Sequence, residues 1–294
     1  MALAAAGGVS VISFSNDAGV ARPGLYVLGF RPEEQIERVV KYAAAQGRTR
    51  FAALAPADAY GTRVLAAWRA AVAQVPGATA EIAVTFPPDS ETPRAEVQQV
   101  AAFGRPGGLP PEAPADDSAL PAAPQLPPPL LPPPGFDALL IADGGQRVSE
   151  IVSLLAYYDI SPAKVALLGT MRWQDDADLM RDARLQGSLL ASWPPNDLAQ
   201  FERRFADVYG RSPAPLAVLA YDATALAVLL AQSQPRFTDA QIRDPQGFVG
   251  SAGIFRLRPD GLADHGLAVT EIEGGGLRVV DPAPGSFTDS VVSQ

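Results

Sequence analysis

Short runs of apolar residues alternate along the chain with longer stretches in which apolar residues recur every three or four positions. Continuous runs are typical of strands buried on both faces, whereas the longer periodic stretches are typical of amphipathic helices. The runs predict strands at 9–14, 24–30, 50–55, 79–86, 136–143, 164–170 and 186–193. The periodic stretches predict helices at 58–75, 92–103, 146–158, 196–209 and 214–232, and a further helix from Pro32 to Gly47.

The helix that begins at Pro32 illustrates the pattern. Proline lacks an N–H, which the first helical turn does not need, and the two glutamates that follow favour the positive end of a helix. Apolar residues then recur at the spacing of one helix face, at Ile36, Val39, Val40 and Ala43. These features together predict an amphipathic helix with one apolar stripe.

Strands that alternate with helices predict an α/β fold, in which helices cover both faces of a parallel sheet. The last third of the chain departs from this pattern, because residues 253–257, 267–273 and 277–282 predict short strands joined by turns. His265, the only histidine, falls in a turn between two of these strands. Parallel sheets bind ligands outside the carboxyl ends of their strands, so a site is expected at those ends.

A proline-rich segment interrupts the alternation of strands and helices. Residues 104–135 contain 12 of the 29 prolines of the chain. Proline cannot continue a helix or a central strand, so this segment is predicted to be a flexible or polyproline-II excursion on the surface. Two interpretations stay open: a docking segment for a partner that recognises proline-rich sequences, or a tolerated loop insertion.

Composition narrows the possible functions. The 294 residues suffice for one large domain or two smaller ones, and 48% of them are hydrophobic, enough for a substantial core. The net charge of −9 argues against nucleic-acid binding, which usually requires a basic face. No apolar run is long enough to predict a membrane-spanning helix. The lack of cysteine excludes disulfides and, with a single histidine, Cys-rich or His-rich metal sites.

Catalytic and cofactor motifs are absent from the sequence. It lacks a nucleophile elbow, a Walker A loop and a Gly-x-Gly-x-x-Gly fingerprint. The stretch ADGGQR at 142–147 has the adjacent glycines of a phosphate-binding loop, but a tight turn from strand to helix explains it better. We therefore expect no cofactor and no metal, and a non-enzymatic protein, with a hydrolase-type enzyme as the outside alternative.

The first residues of the chain raise the question of an export signal. Residues 1–14 carry no positive charge, and Gly7-Gly8 interrupts their apolar run, whereas a signal peptide needs a charged region and an unbroken apolar one. We expect instead the end of a helix at residues 2–6, a turn at the two glycines and a strand from Val9 to Phe14.

Polar and aromatic residues at four strand ends could together form a binding site. Hydroxyls, a carboxylate, an aromatic ring and free backbone amides suit a small zwitterion. The same residue types are preferred at helix caps and in turns, so each has an ordinary structural explanation on its own. The candidates are Ser13, Ser15, Asn16 and Asp17 at the first end, Tyr60 at the second, Asp143 and Gly144 at the third, and Thr170 and Trp173 at the fourth.

Several stretches, in their order along the chain, resemble type I periplasmic binding proteins: VISFSND, RFAALAPADAYGTR, FDALLIADGG, KVALLGT, LAVLAYDATALAVLL and GIFRLRPDGLADHGLAVTEIEGG. The nearest branch is similar to the leucine/isoleucine/valine-binding proteins, and within it the chain resembles the penicillin-binding-protein activator lipoproteins. YDATALAVLL and the later G-x-F-x-L-x-x-D-G are the most specific stretches. The resemblance covers almost the whole chain except the proline-rich insertion.

This resemblance implies two Rossmann-like α/β lobes with a hinge, joined by three crossovers, and a ligand cleft between the lobes. It assigns residues 1–30 and 194–265 to the first lobe, 31–193 to the second, and 266–294 to the final crossover strands and tail. Family members carry further strand–helix units before the strand at 9–14. We therefore expect an N-terminally truncated chain whose incomplete first lobe exposes apolar surface and promotes self-association.

The resemblance also implies roles for the candidate residues. Ser15, Asn16 and Asp17 occupy the loop that holds a ligand's α-carboxylate, where an acid would repel the ligand unless it is protonated or turned away. Tyr60 matches the tyrosine of the family's Tyr-Gly motif. Residues 143–145 and 170–173 match ligand-facing loops of the second lobe.

The resulting hypothesis is a non-catalytic module that binds a small polar, amino-acid-like ligand as the receptor of an ABC-type transporter, with a membrane permease as partner. The alternative is a penicillin-binding-protein activator that regulates peptidoglycan synthesis by contacting a peptidoglycan synthase. Both imply a periplasmic or lipid-anchored location at the cell envelope, and neither involves nucleic acid.

Overall fold

The structure, a computed structural model, describes residues 9–109, 131–174 and 176–287. The predicted helix end and glycine turn before residue 9 lie outside the described residues, as does most of the proline-rich segment. Within the described ranges, strands and helices alternate through the first two thirds of the chain and short strands follow. The predicted α/β fold class is confirmed.

The helices and strands lie close to the predicted positions. The α-helices are α1 (Pro32–Ala45), α2 (Ala59–Ala73), α3 (Arg94–Ala102), α4 (Gln146–Tyr157), α5 (Ala177–Arg181), α6 (Pro195–Tyr209), α7 (Ala217–Gln232) and α8 (Asp239–Ile242). The strands are β1 (Val11–Ser13), β2 (Leu25–Val27), β3 (Arg50–Pro56), β4 (Thr79–Phe86), β5 (Ala138–Ile141), β6 (Ala166–Gly169), β7 (Leu189–Ser192), β8 (Phe248–Gly250), β9 (Gly253–Leu257), β10 (Ala263–His265), β11 (Ala268–Glu273) and β12 (Gly276–Asp281). No helix in these ranges has both the length and the apolar character needed to cross a membrane.

The chain divides into two compact units. Unit 1 comprises residues 1–42, 190–271 and 277–294, and unit 2 comprises residues 43–189 and 272–276. The chain passes from one unit to the other near the end of α1, at the start of β7 and in the β11–β12 region. The lobe boundaries inferred from the family resemblance stay a prediction.

Unit 2 is built on parallel strands that pair in the order β6-β5-β3-β4. Every residue of β5 and β6 is buried, as are all residues of β3 except Arg50. This burial explains the continuous apolar runs in the sequence, because helices cover both faces of such a sheet. The inward residues of α4 are those that its periodicity predicts, at Val148, Ile151, Val152 and Leu155. All carboxyl ends of these strands lie at the same edge of the sheet.

Unit 1 contains two small sheets. β1 and β2 pair in parallel, and β8, β9 and β10 form an antiparallel sheet in which β9 is central. All three residues of β2 are buried. The stripe predicted for α1 is also fully buried, which explains the apolar spacing of that helix.

The prediction for His265 was wrong, because this residue ends β10 and does not lie in a turn. Its side chain is 3% exposed, and its Nδ1 lies 2.9 Å from Oε2 of Glu34. The other oxygen of Glu34 accepts a hydrogen bond from Arg31 at 2.6 Å. The single histidine therefore belongs to a buried polar network that links β10 to α1.

The two ends of the proline-rich insertion lie side by side. The amide of Gly135 donates a hydrogen bond to the carbonyl oxygen of Phe103 at 2.7 Å. A Cβ atom on Gly104 would stand 2.3 Å from the Cα of Gly135, so only glycine permits this approach. The two ends of the insertion therefore meet at one point of unit 2, as expected for an insertion between α3 and β5.

Candidate functional site

The carboxyl end of β5 leads into a short loop in which Asp143 is held on both oxygens. Oδ1 accepts a hydrogen bond from the amide of Gly144 at 2.8 Å, and Oδ2 accepts one from Nη1 of Arg147 at 2.9 Å. Gly145 has a φ of 65°, in the left-handed region that favours glycine. The stretch ADGGQR thus forms the tight turn from strand to helix that the sequence predicted.

Arg147, at the start of α4, fixes the position of this carboxylate. Besides its bond to Asp143, it donates from Nη2 to the carbonyl oxygen of Pro88 at 2.7 Å. Its guanidinium carbon lies 5.5 Å from the centre of the Phe86 ring, within the range of a cation–π contact. Arg147 therefore joins the loop after β5 to the end of β4.

The loop after β6 binds to the loop after β5. Nε1 of Trp173 donates to the carbonyl oxygen of Asp143 at 2.9 Å, and both the tryptophan and Thr170 are buried. A Cβ atom on Gly169 would lie 2.4 Å from the tryptophan ring, so the ring packs directly against the backbone. The sequence brings these loops together because β5 and β6 are adjacent parallel strands.

Tyr60 stands at the start of α2, after β3. The helix is capped by Asp58, whose Oδ1 accepts from the amide of Gly61 at 2.8 Å. The Tyr60 hydroxyl donates to Oγ1 of Thr170 at 3.5 Å, and the guanidinium carbon of Arg172 lies 4.9 Å from the tyrosine ring centre. Burial raises the pKa of the Tyr60 hydroxyl, although the contact with Thr170 and the charge of Arg172 act in the opposite direction.

These loops surround a pocket of about 480 Å³ within unit 2. It is lined by Pro56, Asp58, Pro88, Glu91, Asp143, Gly144, Gln146, Arg147 and Arg172. Of the predicted residues, Asp143 and Gly144 line the pocket. Tyr60 contacts the lining residue Arg172, Trp173 contacts the lining residue Asp143, and Thr170 contacts Tyr60. Among the residues described by the structure, no group of three or more His, Cys, Asp or Glu side chains is arranged to hold a metal ion.

The remaining predicted residues lie in unit 1, at the end of β1. Ser13 Oγ accepts from the amide of Ser15 at 3.3 Å, and Ser15 Oγ accepts from the amide of Asp17 at 3.0 Å. Asp17 in turn accepts from the amide of Gly19 at 2.8 Å and caps a 3₁₀ turn at Ala18–Val20. The side chains of this loop therefore stabilise its own backbone, which is the capping explanation weighed from the sequence.

Asn16 lies within the same loop, between Ser15 and Asp17. The loop is also fixed from behind, since a Cβ atom on Gly29 would stand 2.1 Å from the carbonyl oxygen of Ser15. Whether Ser13, Ser15, Asn16 and Asp17 bind a ligand stays a prediction. The same holds for the candidate residues of unit 2.

A comparison with protein-family models decides the family. Residues 1–276 match the model described as periplasmic binding protein. The chain belongs to the periplasmic binding protein family. The resemblance inferred from the sequence is thus confirmed. The comparison with curated proteins returned no match.

Solved structures with the same fold include transporter-associated binding proteins. A branched-chain amino acid ABC transporter periplasmic ligand-binding protein from Burkholderia xenovorans LB400 superposes with a TM-score of 0.69 at 16% identity, covering 97% of this chain and 73% of that one. A leucine-binding protein from Thermotoga maritima MSB8 gives a TM-score of 0.65 at 15% identity, with 96% and 75% covered. At these identities the likeness shows the fold alone.

The full-length LpoA of Haemophilus influenzae also shares the fold. Its TM-score is 0.61 at 16% identity, and the match covers 95% of this chain but 45% of LpoA. More than half of LpoA therefore lies outside the matched region.

Sequence reasoning missed the two arginines of the pocket. Arg147 follows Asp143 by four residues, which is a salt-bridge spacing on a helix, but Asp143 lies in the loop before α4, so the helical rule does not apply to this pair. Arg172 lies inside the stretch 170–173 that the resemblance singled out, yet only Thr170 and Trp173 were chosen from it. Arg172 contacts Tyr60, and Thr170, two residues before Arg172, is 110 residues away from Tyr60 in the sequence. Sequence patterns do not reveal contacts over such a separation.

Proposed function

We propose that this member of the periplasmic binding protein family is a non-catalytic receptor for a small polar, amino-acid-like ligand in ABC-type transport. One observation carries the proposal: the loops after three neighbouring parallel strands, β3, β5 and β6, meet around one polar pocket. Parallel sheets bind ligands at this edge. We further propose that the full protein acts in the periplasm or at the cell envelope.

The pocket has the chemistry that such a ligand needs. Arg172 and the amino end of α4 offer hydrogen-bond donors, and exposed carboxylates at Asp58 and Glu91 offer acceptors. The aromatic ring of Tyr60 lies under one of the arginines. A ligand that carries both charges can therefore find partners at this pocket.

A thermal-shift experiment tests the proposal. The protein is heated with and without each member of an amino-acid panel, and a ligand present at 100 times its Kd should add about 2.7 kcal/mol to the free energy of unfolding. Tyr60→Ala should weaken the shift because it removes the support of Arg172. Tyr157→Ala, which removes a tyrosine that is 56% exposed, is the matched control. If no compound shifts the melting temperature, the proposal is wrong.

A second candidate function is the regulation of peptidoglycan synthesis through protein contacts. The structural match to LpoA favours it, since the sequence resembles penicillin-binding-protein activator lipoproteins. In this role the protein would bind a peptidoglycan synthase. Surface-coupled protein should then retain a purified synthase, and synthase activity should rise when the protein is added. Loss of both effects would exclude the role without bearing on ligand binding.

A further inference from the structure

The charged groups of the unit 2 pocket differ in how far they are already paired. The side chain of Asp143 is 7% exposed. Its Oδ1 accepts a hydrogen bond from the amide of Gly144, and its Oδ2 accepts one from Arg147. A carboxylate in this state is an internal counter-ion. It has little capacity left for the ammonium group of a ligand.

Arg147 is also committed to internal contacts. One nitrogen bonds to Asp143, another bonds to the carbonyl oxygen of Pro88, and the guanidinium lies over the Phe86 ring. The charges of Arg147 and Asp143 therefore offset each other. The pair fixes the shape of the pocket and leaves the next cation without a dedicated counter-ion.

Arg172 is that cation. Its closest nitrogen lies 3.7 Å from Oδ1 of Asp143, longer than a hydrogen bond, and its side chain is 52% exposed. The guanidinium is held over the ring of Tyr60 at 4.9 Å, which limits its freedom before any ligand arrives. With five N–H donors, Arg172 can receive a carboxylate on two of them at once.

The amino end of α4 strengthens the attraction for an anion. Gln146, the first residue of this 12-residue helix, lines the pocket. The end of a helix carries a partial positive charge, which favours a bound anion. At Gly145, no atom lies within 4 Å of the position that a Cβ would occupy, so the approach to this end is open.

We propose that the pocket selects a ligand with net negative charge, a dicarboxylate or an acidic amino acid, and that Arg172 is the specificity-determining residue that binds its carboxylate. This inference rests on the proposed function. Two further carboxylates line the pocket: Asp58, which accepts from the amide of Gly61 at the start of α2, and Glu91, which is exposed. Glu91 can serve as a partner for the ammonium group of an acidic amino acid.

Isosteric ligand pairs give a direct test. Titration calorimetry compares L-glutamate with L-glutamine and L-aspartate with L-asparagine, with glutarate, succinate and L-leucine as further probes. We expect the acidic member of each pair to bind at least about tenfold more tightly, as one charge-assisted hydrogen bond provides. Arg172→Gln should remove this preference. Arg172→Lys should keep part of it, since lysine retains the charge but not the planar fork.

Arg69→Gln is the matched control, because Arg69 is exposed on α2 and does not line the pocket. It should bind every probe as the unaltered protein does. If glutamine binds as tightly as glutamate, or Arg172→Gln keeps the preference, the inference is overturned while the proposed function stands. If leucine alone binds, the same conclusion holds. If the unaltered protein binds none of the probes, neither the inference nor amino-acid binding at this pocket survives.

Discussion

Asp222 shows how a single residue couples two elements of unit 1. It is buried in α7, which contains no other charged residue. Its oxygens accept hydrogen bonds from the amides of Ser251 at 2.7 Å and Ala252 at 3.4 Å, in the turn between β8 and β9. Burial raises the pKa of Asp222 above its ordinary value of 3.8, although these amides and the nearby His265 act in the opposite direction.

The raised pKa of Asp222 predicts a pH dependence of stability. The folded state holds the proton of this carboxyl more tightly than the unfolded state does. The stabilisation that the protonated Asp222 gives to the folded state is therefore fully present below the ordinary pKa of 3.8. It is lost as the pH rises through the pKa of the folded state. Asp222→Asn cannot ionise, so its stability relative to the unaltered protein should increase from acidic to neutral pH. Urea unfolding at several pH values measures this difference.

Asp222→Ala separates the charge from the hydrogen bonds. This variant leaves the amides of Ser251 and Ala252 without their acceptor, which should cost about 1–3 kcal/mol at acidic and at neutral pH. The asparagine variant keeps one acceptor oxygen and should lose less. If the alanine variant loses no stability at any pH, the two hydrogen bonds do not stabilise the turn.

At the scale of elements, the proline-rich insertion is attached to unit 2 at one point. Gly104 and Gly135 touch through their backbones, and the bond from Gly135 to Phe103 closes the base. The base of the insertion is therefore closed by contacts between its own two ends. Both interpretations of the segment, a tolerated loop insertion and a docking segment for a partner, are compatible with this closed base and stay predictions.

Replacing residues 109–131 by a short Gly-Ser linker should leave the fold intact. Each halving of a loop's length lowers its closure cost by about 0.6 kcal/mol, so the melting temperature should stay the same or rise slightly. Circular dichroism and thermal unfolding check this outcome. Gly104→Ala is the contrasting variant, because its methyl group would meet the Gly135 backbone and should lower the melting temperature. A large loss of stability on deletion would instead assign the segment a packing role.

Helices and strands with long apolar patterns are predictable from the sequence, whereas several very short elements are not. β4 has the bounds that its apolar run gave, 79–86, and α4 begins at the predicted residue. The short elements α5, α8, β8 and β10 span three to five residues, too few to establish a helical or strand period. The error for His265 has this origin. Its polar partner, Glu34, lies on α1, far away in the sequence, and no local pattern encodes this contact.

The sequence predicts at which strand ends the candidate residues lie, but not which charged side chains pair with each other. Candidates were found at strand ends because parallel topology alone brings such ends together. The roles of Arg147 and Arg172 depend instead on contacts between separate loops. The resemblance implies that Asp143 faces a ligand, and no sequence pattern reveals its bond to Arg147, which the structure shows.

At the scale of the whole molecule, α7 presents an apolar face to solvent. Tyr221, Val228 and Leu229 recur at helical spacing on this face, and each is more than half exposed. The helix is strongly apolar over its whole circumference, which is typical of a helix that is covered on all sides. Contiguous apolar surface of this kind commonly marks a contact with another molecule.

We expect self-association through this face. The sequence analysis also predicts self-association, there through the apolar surface of the incomplete first lobe. Light scattering coupled to size-exclusion chromatography should show the average mass rising with protein concentration. The double variant Val228→Lys and Leu229→Lys places two positive charges on the face and should shift the protein to the monomer, because burying unpaired charges is unfavourable. Both side chains point outward, so the fold should tolerate the change.

Tyr157→Lys provides the matched control for this experiment. Tyr157 is 56% exposed but lies on α4 in unit 2, so its replacement adds charge without altering α7. If both variants become monomeric, added charge rather than the α7 face explains the effect. A protein that is monomeric at every concentration would contradict the prediction. The apolar face of α7 would then remain exposed to solvent without causing association.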